Sequence, residues 1–260
     1  QEATSAEIAR RSEVAKTALL DSVSHDLRTP LATIRAAAGS LMDPALDGKS
    51  AVRHERAAVI DREAERLNRL VSNLLDMSRI EAGDLRARME AFPLEDLVET
   101  TLDRMAELLD GHALTVTMAV DLPPVEVDPV FIDQVLTNLL ENAARHAPRA
   151  TPIRVRAVAI TRETVRLTIE DGGPGVPPES LGLLFEKFSR VPRAGDRAGH
   201  GSGIGLAVVR GLVEAMGGHV EARASELGGL AVDVDLRAAA FPREPAPDAM
   251  PGPGTAVPCS

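Results

Sequence analysis

Tryptophan and tyrosine are absent from the 260 residues, which hold five phenylalanines and a single cysteine. With so few aromatic faces the chain has no stacking platform for single-stranded nucleic acid. A net charge of −10 also denies it the broad basic surface that phosphate backbones require, so no nucleic acid is expected as a partner. The one thiol, Cys259, stands in the terminal tail. It can form neither an internal disulfide framework nor a cysteine zinc site, and it suits a reducing compartment. Long apolar runs are missing, so no segment can span a bilayer. Nothing at the N-terminus resembles a signal peptide. Because the chain opens on Gln1 rather than Met, we expect a fragment of a longer protein, with any membrane anchor in the missing part. What remains is 44% apolar and 26% charged, ordinary for a globular protein and long enough for two domains.

The first 88 residues read as a helical hairpin. Leu20, Val23, Leu27, Leu31, Ile34, Ala38 and Leu41 recur at three- and four-residue spacing, which makes one apolar stripe. Asp43-Pro-Ala-Leu-Asp-Gly48 carries turn chemistry. A second stripe runs through Ile60, Ala64, Leu67, Val71, Leu74 and Met77 and ends near Gly83. Each stripe is too wide for one partner helix, so two hairpins should pair as a homodimeric four-helix bundle. From residue 89 to 241 the pattern becomes an α/β sandwich. We expect helices over Leu94–Asp110, Pro129–Ala147 and Ile204–Met216, and strands over Leu114–Val120, Ile153–Ile160, Thr164–Asp171, His219–Ala224 and Leu230–Leu236. Residues 242–260 are rich in Pro, Ala and Gly and read as a disordered tail.

Five segments could carry chemistry. Ser24-His25-Asp26-Leu27-Arg28-Thr29-Pro30-Leu31 puts an imidazole on the polar side of a helix, beside a carboxylate able to take one of its protons. Pro30 costs about 3 kcal/mol inside a helix, which suggests a deliberate bend one turn later. A surface histidine with an incidental kink is the plainer alternative. Asn138 and Asn142 lie four apart, away from the buried face of Leu136, Leu139, Leu140 and Ala143, with Arg145 and His146 a turn further on. Neutral amides can ligate a hard cation that already carries phosphate oxygens; two solvent-facing asparagines would look the same.

In Glu170-Asp171-Gly172-Gly173-Pro174-Gly175, Asp171 continues the apolar face of Val165, Leu167 and Ile169. A carboxylate there needs a donor, for which an adenine amino group would serve, although Asp-Gly turns are common. Gly199-His-Gly201-Ser-Gly203-Ile-Gly205-Leu206 opens into a helix whose free N–H groups can bind anions, or it is a flexible loop. It matches neither the dinucleotide fingerprint nor a P-loop. Phe185 and Phe188 should pack a short helix onto the domain. The stretch after them, with Arg190, Arg193 and Arg197, has the composition of a mobile lid or of a plain surface loop.

The order of these five motifs resembles the cytoplasmic core of bacterial two-component sensor histidine kinases over about residues 15–240. Those proteins join a dimerisation and phosphotransfer domain to an ATP-binding domain of the gyrase, chaperone, kinase and mismatch-repair type. The octapeptide at His25 and Asn73-Leu-Leu-Asp-Met-Ser-Arg-Ile-Glu-Ala-Gly83 are similar to those of the Kdp-type potassium-sensing kinases. The resemblance implies that His25 accepts the γ-phosphoryl of ATP, with Asp26 as general base and Thr29 orienting water for dephosphorylation of a partner. It implies that Asn142, with Asn138 nearby, holds Mg²⁺. Asp171 would receive adenine, Gly173 and Gly175 would shape its wall, and Gly201, Gly203, Gly205 and Leu206 would flank the phosphates. It further implies a response-regulator partner, and a cytoplasmic fragment of a protein held in the inner membrane by its N-terminal sensor region.

Where the family usually has Lys then Tyr or Phe, this chain has Arg145 and His146. Arginine can still pair with phosphate, even bidentately; His146 removes an aromatic face near the nucleotide. Three rival readings stand beside the kinase: a member that mainly dephosphorylates its regulator, a dimeric scaffold with an empty nucleotide site, and a relative that phosphorylates serine or only hydrolyses ATP.

Overall fold

The computed structural model describes residues 24, 27–43, 49–187, 189, 191 and 203–239. Residues 27–41 form α1, and α2 spans Ser50–Ala82. At 33 residues α2 is about 50 Å long. It begins ten residues before the first apolar position that marked it in sequence. It stops where expected: Gly83 takes a left-handed conformation (φ 70°), and its N–H donates to the Ile80 carbonyl at 3.2 Å. Asp76 and Met77 are its only buried side chains. None of the described helices is long and apolar enough to cross a membrane.

The remainder is a sheet covered on one face by helices. β1 (Glu90–Phe92) pairs with β3 (Val125–Val127), both too short to show a period in sequence. β2 (Ala113–Met118), β4 (Pro152–Ala159), β5 (Thr164–Asp171), β6 (His219–Ala224) and β7 (Leu230–Arg237) form a second sheet in the order β2-β4-β5-β7-β6. The β2–β4 pair is parallel and the others antiparallel. Over the sheet lie α3 (Leu94–Arg104), α4 (Ala106–Leu109), α5 (Pro129–His146) and α6 (Gly205–Ala215). The single helix expected over Leu94–Asp110 is thus two, broken at Met105, whose buried side chain joins the core. A 3-10 turn over Pro178–Leu183 precedes Phe185. The short helix expected at Phe185 itself is a turn instead, although Phe185 is buried as foreseen.

Period-two alternation decides which face of the sheet meets the helices. Val165, Leu167 and Ile169 of β5 stand opposite Leu236, Val234 and Val232 of β7, and all six are buried in the core. The intervening positions build a charged lattice on the other face. Arg166 makes two hydrogen bonds to Asp235, at 2.6 and 2.7 Å; Thr168 and Arg223 both donate to Asp233; Arg154 donates to buried Glu170. Burial works against the charge of Asp233, but hydrogen bonds from Arg223 and Thr168, with the fields of Arg223 and Arg166, hold its carboxyl below the usual range.

Candidate active site

α5 is the wall on which the site is assembled. Asp128 caps it, one carboxylate oxygen accepting from Val130 and Phe131 and the other from the Arg88 N–H. Pro129 at the first helical position needs no partner for a missing donor. Leu136, Leu139, Leu140 and Ala143 are buried, as their spacing predicted. That turns Asn138, Asn142 and His146 to a half-buried flank and leaves Arg145 exposed. Eight residues, about 12 Å, separate the two ends of this flank. At one end, a Cβ on Gly205 would lie 3.2 Å from Asn138 Oδ1; at the other, a Cβ on Gly173 would lie 2.9 Å from the His146 carbonyl oxygen. α5 therefore brings together three of the five motifs: the two asparagines, the Asp171 loop and the start of α6.

Asp171 is only 3% exposed, at the end of the apolar face of β5. Its Oδ1 accepts from the Gly173 N–H at 2.8 Å and from the Leu230 N–H at 3.4 Å. Two backbone donors therefore fix the orientation of a buried carboxylate beside a wall of glycines. Gly175 needs its left-handed backbone (φ 69°) to turn this loop under Gly228 and Gly229. Gly203 is also left-handed (φ 66°), and Leu206 packs on the core at the first turn of α6.

Thr29 is exposed on α1. His25, Asp26, Gly201, Phe188, the arginine-bearing lid and the tail lie outside the described residues. The asparagines are not equivalent. Asn138 Oδ1 accepts from Asn73 of α2 at 3.0 Å, and its Nδ2 donates to the Gln134 carbonyl. Among the described residues, none hydrogen-bonds the Asn142 amide, which is therefore the better disposed to ligate a cation. No cluster of three His, Cys, Asp or Glu that could hold a metal occurs among the described residues.

Sequence reasoning missed how α2 meets this flank. Gln134 donates to Asn73 and, at 2.7 Å, to the buried Asp76 carboxylate. Arg69 pairs with Glu141, and Lys187 with Glu81. Ile80 fills a notch at Gly211, where any Cβ would collide with it. Positions 69, 73, 76 and 80 share one face of α2, and 134, 138 and 141 share one face of α5. The signal was a polar stripe beside an apolar one, which reads equally as solvent.

Residues 15–83 match the His Kinase A (phospho-acceptor) domain, and residues 127–240 match the histidine kinase-, DNA gyrase B- and HSP90-like ATPase. The chain belongs to the sensor histidine kinases. It is 37% identical over 245 residues to the sensor protein KdpD of Mycobacterium tuberculosis, which is 92% of this chain and 28% of that protein. With KdpD of Escherichia coli K12 it shares 34% over 244 residues, 94% of this chain and 26% of that protein. This histidine kinase core thus spans little more than a quarter of the length of these curated relatives. Its fold is similar to that of the histidine kinase AdeS of Acinetobacter baumannii, with TM-score 0.57 and 25% identity, covering 82% of this chain and 97% of that one.

Proposed function

We propose that this core phosphorylates itself on His25 and passes the phosphoryl group to an aspartate of a response-regulator receiver domain. The observation that carries the reading is the buried Asp171 carboxylate, aimed by two backbone amides within the ATPase-like domain, in a chain whose phospho-acceptor domain contains His25. Residues 1–88 serve as the dimerising acceptor hairpin and 89–241 as the ATP-binding domain. Adenine fits Asp171, because its 6-amino group donates where guanine would oppose the carboxylate with its O6 acceptor. Gly173, Gly175, Gly201, Gly203, Gly205 and Leu206 leave room for base and phosphates, with Arg145 and His146 at their margin. The Asn142 amide oxygen, joined by Asn138 once it leaves Asn73, suits Mg²⁺, whose chemistry is to neutralise charge on the triphosphate.

A His25 ring nitrogen attacks the γ-phosphorus; the bond from phosphorus to the β-bridging oxygen breaks and ADP leaves. Asp26 takes the imidazole proton. The phosphorus–nitrogen bond then breaks as a receiver carboxylate oxygen takes the phosphoryl group, and Thr29 orients water for the reverse duty of clearing that acyl phosphate. Positioning provides most of the catalysis in such a transfer, which is why two domains must meet. The likeness to KdpD supports a Kdp-type kinase, with a membrane anchor in an N-terminal sensor region.

Incubation with γ-labelled Mg-ATP beside a His25→Gln control tests this. Acid-labile, alkali-stable label that is absent from the control is expected. Label that survives in the control refutes the site, and no label despite ATP binding refutes the kinase direction in favour of dephosphorylation.

A further inference from the structure

The turn between β6 and β7 closes over the Asp171 loop. Its own hydrogen bonds knit it: Leu227 N–H to Ser225 Oγ at 2.9 Å, Gly228 N–H to the Ser225 carbonyl, and Ser225 N–H to the Gly229 carbonyl. It is also stitched to β5, since Gly229 N–H donates to the Asp171 carbonyl at 3.2 Å while the next residue, Leu230, donates to the Asp171 side chain. The approach is so close that a Cβ on Gly229 would overlap Asp171 Oδ1 and its carbonyl oxygen, and would lie 2.5 Å from the Gly173 nitrogen. By contrast, a Cβ on its neighbour Gly228 would meet nothing.

We infer that Gly229 is a positioning residue for nucleotide recognition. By carrying no side chain it lets β7 come near enough for the Leu230 N–H to share Asp171 Oδ1 with Gly173, which fixes the direction in which the carboxylate faces the base. The glycine acts through Asp171 and not by touching the nucleotide itself, so the inference rests on Asp171 being the adenine acceptor. Any side chain at 229 must rotate the carboxylate, move the 172–173 backbone, or lift the turn. Each of these undoes the shared hydrogen bonds.

The test is a double-variant cycle in the whole chain, read as equilibrium affinity for ATP and for GTP. Asp171→Asn and Gly229→Ala should each weaken ATP binding tenfold or more and narrow the preference for ATP over GTP. The double variant should be no worse than Asp171→Asn alone. Effects that multiply, or a Gly229→Ala chain of normal affinity and preference, overturn the inference and leave the adenine reading standing. Normal ATP affinity in Asp171→Asn overturns the adenine reading instead. A Gly229→Ala chain that fails to fold leaves a second measurement. In the otherwise native protein, the amide proton signals of Gly173 and Leu230 should lose their hydrogen-bonded shift together on Asp171→Ala, which removes the oxygen they share. A Leu230 signal that stays put overturns the inference.

Discussion

The helical hairpin and the sheet domain solve the same problem in different ways. In the sheet domain Leu136, Leu139, Leu167, Ile204 and Leu236 sit in one continuous core, each at most 2% exposed. Along the hairpin, α2 buries only Asp76 and Met77, whereas Leu31 and Leu75 remain 59% and 55% exposed in the single chain. One region finishes its core within the chain; the other presents apolar surface that a second copy would cover, which is the arrangement proposed for the dimer. Stability of the first should not depend on protein concentration, and stability of the second should.

The sharpest break between the two regions is expected from Leu31→Asp with Leu75→Asp. Sedimentation should then show monomers, while ATP binding is unchanged. Next comes Leu167→Ala, which removes a fully buried side chain opposite Val234 and should cost about 2–5 kcal/mol in chemical denaturation of the sheet domain, with the dimer intact. Asp233→Asn should cost about 2 kcal/mol, because at a buried site one of two accepting oxygens becomes a donor facing Arg223 or Thr168 and the bond that remains is no longer to a charge. The folded Asp233 carboxyl ionises more readily than in the unfolded chain. Its contribution is therefore complete above the ordinary value of 3.8 and fades as pH falls through the lower folded one. Melting of Asp233→Asn and of the unsubstituted chain should accordingly converge in acid. Arg62→Ala is expected to be smallest. Its 2.7 Å pair with Glu107 joins two exposed side chains, so a change of less than about 1 kcal/mol, vanishing in salt, should appear in denaturation.

Legibility in sequence followed the range of the interaction. The buried stripe of α5, the alternation of β5 and the stop at Gly83 are written in residues a few positions apart, and each was readable. β1 and β3 take three residues each and owe their existence to a partner some 35 positions away, so no local period announces them. Met105 lies within a helical pattern with no Gly or Pro to mark a stop, so the break at its non-helical backbone (φ −97°, ψ 6°) has no local signal. At the site, Asp171 was readable from its place on an apolar strand face. Gly229 was not, because Gly228-Gly229 between two strands has all the marks of an ordinary hairpin turn; only the meeting of β5 and β7 shows which of the two glycines lies against Asp171. Asn73 and Gln134 escaped for the same reason, being 61 positions apart in the chain and 3.0 Å apart in space.

The notch at Gly211 has a mechanical consequence. A side chain seated in a hole resists sliding until it leaves the hole altogether, so packed helices exchange between separate registers and do not creep. With Ile80 as the peg, α6 can slide along α2 only after Ile80 has left its place against Gly211. Relative displacement of these two helices is therefore expected to come as a step rather than as a gradual slide.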